Sequence, residues 1–173
     1  MKKRFVVEAV LMFSLFAFAG VPAVADMDMS RMPGTTHGDD DAHDRGAFAF
    51  GRPGDAKKVD RTIRINALDT MRYDMRDLTV RVGETVRFTV TNAGKVRHEF
   101  VIGDAAEQHE HEKEMQGMPG MVMPDEANGI SLAPGETKNI VWQFAGPGTV
   151  ELACHEAGHY EAGMVSHITV EKK

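Results

Sequence analysis

From residue 62 to residue 170 the chain is written in short runs of alternating polar and apolar side chains, cut apart by glycine, proline and asparagine. Residues 62–67 alternate strictly, and residues 78–82 do the same. A strand turns successive side chains to opposite faces, so a period of two marks a sheet with one face in a core. Gly83-Glu84 separates the second run from residues 85–90, and Asn92-Ala93-Gly94-Lys95 precedes residues 99–102. Later, Pro134-Gly135 stands between residues 130–132 and 138–144, Gly146-Pro147-Gly148 comes before residues 149–154, and residues 164–170 close the series. Strands of this length and spacing predict an all-β antiparallel sandwich. Trp142 and most of the phenylalanines and valines are then core.

Two stretches break the rhythm. Residues 103–129 begin helix-compatible over 104–115 and continue as Gln116-Gly117-Met118-Pro119-Gly120-Met121-Val122-Met123-Pro124. So long a connection inside a compact domain is functional or mobile. Residues 26–58 are rich in Asp, Gly, Met, His and Pro without any period, which reads as a flexible arm. Ahead of them, Lys2, Lys3 and Arg4, an apolar run over 10–21 and Ala23-Val24-Ala25 have the layout of a secretory signal peptide. The expectation is cleavage after Ala25, a periplasmic protein, and three parts: a leader over 1–25, an arm over 26–58 and one domain over 59–173. The processed chain has a net charge of about −8, which argues against nucleic acid or an anionic lipid surface as partner, and no membrane insertion is expected after cleavage.

Export makes the cysteine content informative. Oxidising compartments favour paired cysteines, yet Cys154 is alone and can form no internal disulfide. Its surroundings are Cys154-His155-Glu156-Ala157-Gly158-His159-Tyr160-Glu161-Ala162-Gly163-Met164. A thiolate, an imidazole and a thioether recur every five residues between two expected strands, where a loop can fold all three around one point. Soft sulfur suits Cu(I) and imidazole suits both copper oxidation states, whereas zinc prefers a stronger fourth ligand than a thioether. A second imidazole is needed, and His98 opens the strand after the Asn92-Ala93-Gly94 turn. His155, next to Cys154, points to the opposite face of an extended chain and is left out of the set.

With these residues in place, the stretch over 62–171 resembles the cupredoxins, the blue-copper family of plastocyanin, azurin and rusticyanin. The resemblance rests on Val82-Gly83-Glu84-Thr85-Val86, on Asn92-Ala93-Gly94 with His98-Glu99-Phe100, and on residues 154–164. It is most similar to the bacterial copper-tolerance members that add Met- and His-rich segments. The resemblance implies a Greek-key β-sandwich or barrel and a type 1 copper site, with His98, Cys154 and His159 equatorial and Met164 axial. Two features depart from the pattern. Glu99 stands where many electron carriers of the family have Asn, and the Cys-to-His interval is longer than in plastocyanin, nearer to azurin and rusticyanin.

Met27, Met29 and Met32, with His37 and His43, lie in the arm; His109, His111, Met115, Met118, Met121 and Met123 lie in the 103–129 insertion. Seven of the twelve methionines thus fall in two polar stretches that offer them no apolar face to join, so additional copper is their expected ligand. This favours a role in copper tolerance and homeostasis, binding and redox-cycling copper with a redox partner or a copper-handling protein. The alternative is a soluble electron carrier between respiratory partners, which needs the core site alone. A cuprous oxidase activity would require further catalytic ligands and is the least supported reading; no catalytic residues are assigned.

Overall fold

The computed structural model describes residues 48–75, 77–118 and 120–173. Ten strands and one helix follow in the order β1 (Gly51–Pro53), β2 (Arg61–Leu68), β3 (Arg72–Tyr73), β4 (Leu78–Arg81), β5 (Thr85–Asn92), β6 (His98–Gly103), α1 (Ala105–Gln116), β7 (Gly129–Leu132), β8 (Thr137–Phe144), β9 (Gly148–Ala153) and β10 (Val165–Glu171). They form two five-stranded sheets, β1-β8-β5-β2-β3 and β4-β10-β9-β6-β7. The inward positions of both supply one core: Ile65, Phe88, Val90, Trp142 and Phe144 from the first sheet, and Phe100, Ile102, Leu152, Ile168 and Val170 from the second. The predicted β-sandwich is the observed fold.

Three details differ from the sequence reading. The sheets are not wholly antiparallel, because β2 runs parallel to β5 and β4 parallel to β10. Strand direction leaves no trace in a period of two; it follows from β3 and β4 carrying the chain from one sheet to the other. Next, the end of the stretch read as an arm belongs to the domain. β1 pairs with β8 from Gly51 to Pro53, and Phe50 stacks on Trp142 with ring centroids 5.4 Å apart. Gly51 is required there, since a Cβ would collide with the Trp142 indole and the Gln143 carbonyl. Finally, the short pair β2–β3 had no alternation long enough to announce it.

The insertion opens with a true helix. Asp104 caps α1 by accepting the Ala106 and Glu107 N–H groups at 2.9 and 3.0 Å, and Gly117 ends it. Its buried residues, Gln108, Glu112 and Met115, lie one helical turn apart but are mostly polar. The helix therefore docks through hydrogen bonds. Gln108 donates its amide to the Val101 and Glu151 carbonyls at 3.0 and 3.2 Å, on the side of β6 and β9 turned away from the core.

Candidate metal centre

Cys154 follows β9 directly, and the loop that leaves it closes on itself. The Met164 N–H donates to the His159 carbonyl at 3.0 Å, the Cys154 N–H to the Met164 carbonyl at 3.2 Å, and the His159 N–H to the Glu156 carbonyl at 2.8 Å. These bonds hold Cys154, His159 and Met164 at one end of the sandwich, with Cys154 and Met164 fully buried and His159 half-buried. Cys154 Sγ lies 3.3 Å from His159 Nδ1. The His159 ring in turn stands 5.0 Å, centroid to centroid, from that of His98 at the start of β6.

His98 is placed by two residues far away in sequence. Asn92, fully buried at the end of β5, donates to the Val96 and Leu132 carbonyls at 2.8 and 3.0 Å and accepts the Gly94 N–H at 2.9 Å, which shapes the loop before His98. Asp69, after β2, accepts the Lys95 N–H at 2.9 Å and faces His98 Nε2 at 3.4 Å. Gly94 passes so close to Asp69 that a Cβ there would strike the carboxylate. The Lys95 N–H holds the Asp69 carboxyl below its usual range. With Nε2 turned to Asp69, His98 Nδ1 is left buried and without a partner.

Among the described residues, one group of three His, Cys, Asp or Glu side chains has ligand atoms within 4.8 Å of one another: His98, Cys154 and His159. Two imidazole nitrogens and a thiol are the donor set of a copper site, and a metal ion is what the orphaned His98 Nδ1 lacks. Burial lowers the proton affinity of His98 and of His159, keeping both rings neutral and able to donate a lone pair. Burial also pushes the Cys154 thiol up to about 12, so the metal-free site holds a neutral thiol that a metal must deprotonate. The Glu99 N–H donates to Cys154 Sγ at 3.2 Å, which gives the sulfur a fixed orientation and steadies a thiolate.

Family comparison agrees with this geometry. Residues 59–171 match the family described as copper binding proteins, plastocyanin/azurin family. The chain belongs to this family. A copper-resistant cuproprotein from Rubrivivax gelatinosus is 43% identical over 98% of this chain and 99% of its own. A second, from Pseudomonas aeruginosa, is 36% identical over 71% of this chain and 83% of its own. Among solved structures, an auracyanin from Roseiflexus castenholzii aligns with a TM-score of 0.56 and 26% identity, covering 65% of this chain and 98% of that one.

The remaining sequence expectations fare unevenly. His155 is indeed turned away from the cluster. It is buried beneath α1, with Nδ1 2.7 Å from Glu112 and Nε2 2.7 Å from Gln108, and it stacks on Tyr160. Met115 is buried on the inner face of α1 rather than lying in an open polar stretch, whereas Met118 and Met123 are half-buried and Met121 is exposed. His109 is exposed, and the His111 ring meets the His155 ring edge-on at 4.7 Å. Met27, Met29, Met32, His37 and His43 lie outside the described residues. Asp69, Gln108 and Glu112 escaped the sequence reading because no local spacing marks them.

Glu99, the departure from the family pattern, faces away from the core while its neighbours His98 and Phe100 face inward. It is 2% exposed, and burial raises its carboxyl from 4.5 to about 7. The folded chain thus holds this proton more tightly than the unfolded chain does. Its contribution is fully present below pH 4.5 and lost as the pH rises through about 7. The metal-free protein is expected to lose up to about 3 kcal/mol across that interval, from a shift worth roughly 1.4 kcal/mol per unit. Glu99→Gln should flatten the decline in urea denaturation at pH 5 and pH 8; an unchanged decline would assign it to another group.

Proposed function

We propose that this is an exported, periplasmic copper protein of copper tolerance, in which His98 Nδ1, Cys154 Sγ and His159 Nδ1, with the Met164 thioether beside them, would hold one copper ion. The observation that carries this is the buried, partnerless His98 Nδ1 turned toward a thiol and a second imidazole. The bound copper would supply one-electron chemistry between Cu(I) and Cu(II). The chain contributes the rest: Asp69 and Asn92 hold His98 in place, the Glu99 N–H orients the sulfur, and the buried surroundings of Cys154 keep water away. Because these contacts come from the protein rather than from the ion, they would hold the ligands in place in either state.

The tolerance role is supported by the relatives that carry copper resistance in their names and by the Met- and His-rich segments flanking the core site. Export is supported by the leader over residues 1–25, and no helix among the described residues is long and apolar enough to cross a membrane. Deleting the gene from its host is expected to reduce growth at raised copper, restored by the intact gene and not by His98→Ala. Unchanged tolerance after deletion would remove this role and leave the soluble electron carrier. The electron carrier needs only the core site, so it predicts that trimming the arm ahead of Phe48 leaves function intact.

A further inference from the structure

From Gly158 to Met164 the metal loop makes one helical turn and stops. The Ala162 N–H donates to the Gly158 carbonyl at 3.1 Å, the Gly163 N–H to the Tyr160 carbonyl at 2.8 Å, and the Met164 N–H to the His159 carbonyl at 3.0 Å. The last two bonds, with Gly163 in the left-handed region (φ 86), are those that end a helix in a Schellman motif. The turn therefore ties the backbone of His159 to that of Met164. Such an end leaves carbonyls over, and among the described residues no backbone N–H reaches that of Ala162. From β3, ninety residues earlier, Arg72 donates a guanidinium N–H to it at 2.7 Å. The same guanidinium lies over Gly163, where a Cβ would stand 3.4 Å from it. The donating nitrogen also bonds the carbonyl of Met71, the one non-glycine among the described residues with a left-handed backbone (φ 56). A backbone of that kind persists only where its surroundings hold it, and it gathers at ligand clamps.

We infer that Arg72 is a positioning residue of the copper centre: it caps the turn between His159 and Met164 and so sets where the Met164 thioether stands against the thiol and the imidazoles. That the centre holds copper rests on the function proposed above; that Arg72 holds the turn rests on these contacts alone. A thioether is a weak ligand, so the backbone rather than the metal bond must place it. The other ligands are placed by bonds that Arg72 does not make. The Glu99 N–H orients Cys154 Sγ, with Tyr73 donating its hydroxyl to the Glu99 carbonyl, and Asp69 faces His98. Loss of Arg72 should therefore leave copper bound and alter the axial contribution, which tunes a copper–thiolate site. A guanidinium suits the task because it is always charged and carries several N–H groups in one plane, so that one side chain spans Met71 and Ala162. Arg72 is itself exposed, so replacing it opens no cavity in the core.

The test is Arg72→Met, which keeps an apolar stem and removes the donors, made in the parent and in Met164→Leu, with the processed full-length protein throughout. In the metal-free protein, amide hydrogen exchange at Gly163 and Met164 is expected to quicken at least about tenfold, the scale of a lost charge-assisted hydrogen bond, while the amides of β5 and β8 keep the parental rate and report the fold. In the copper-loaded protein, Arg72→Met should keep the thiolate-bound copper and shift its absorption maximum. In Met164→Leu the same replacement should leave the maximum in place, because no thioether remains to be positioned. Shifts of equal size in both backgrounds would make Arg72 a charge acting from a distance and overturn the inference. Parental exchange, or an unshifted maximum in Arg72→Met, would overturn it as well. If the parent shows no thiolate absorption while Arg72→Met still quickens exchange, the copper reading fails and Arg72 remains the cap of the turn.

Discussion

Cys154→Ser is expected to abolish all visible Cu(II)–thiolate absorption and to weaken copper at the centre by more than about 100-fold, beyond the loss that removing a merely supporting group produces. The sulfur is fully buried, lies 3.3 Å from His159 Nδ1 and accepts the Glu99 N–H at 3.2 Å. A serine oxygen can accept the same N–H, so the fold should lose little. It cannot become a soft anion at ordinary pH, however, and softness is what selects copper here. Since the thiol is pushed up to about 12 by burial, copper must expel its proton, and binding should tighten as the pH rises. Met164→Leu is the informative companion: it conserves core volume and keeps the thiolate, so the colour should persist with a shifted maximum. Colour that survives in Cys154→Ser would mean the sulfur is not a ligand.

How much of this could be read from the sequence depends on whether a feature is local. β2, β5, β8 and β10 are each seven or eight residues long, enough for the pattern to show, and all four stand within two residues of where it placed them. β3 has two residues, too few for any period. β1 sits in a Gly- and Asp-rich stretch, and only Trp142, some ninety residues later, makes a strand of it. Propensity in such a segment is overridden by a tertiary contact.

The site divides along the same line. Cys154, His159 and Met164 share one loop, so their five-residue spacing was visible, and His98 showed itself at a strand edge after a turn. Asn92, which shapes the loop before His98, belonged to the Asn92-Ala93-Gly94 turn that the sequence shows, but Asp69 acts on that loop from the β2–β3 connection, and nothing adjacent to it marks the role. The insertion was read for its methionines and histidines, but its first half works differently. Gln108 and Glu112 tie α1 to the His155 imidazole, one residue beyond Cys154, so the insertion is bonded to a side chain of the metal loop. A helix whose buried face is polar carries no amphipathic signature, and its docking partner could not be inferred from period.

Trp142→Ala is expected to cost about 3–5 kcal/mol, the range for deleting a large buried aromatic side chain, against a total stability of about 5–15 kcal/mol for a domain of this kind. Trp142 is fully buried in β8, opposite Val86 of β5 and Pro53 of β1. Phe50 and Phe48 lie against its ring at 5.4 and 5.5 Å. Removing it leaves a cavity that the strand pair β5–β8 cannot close, and it also frees the segment from Phe48 to Pro53, which has little else to pack against. Two readouts should therefore move together: a lower urea midpoint, and proteolysis near Arg52 under native conditions. The copper centre should not follow them. Asn92, which shapes the His98 loop, pairs near the far end of β5, while Trp142 pairs near its beginning. The folded fraction of Trp142→Ala should keep the thiolate absorption of the parent. A loss of colour in the folded protein would show that the two ends of β5 are coupled through the core; a cost below about 1 kcal/mol would show that the aromatic stack does not anchor β1.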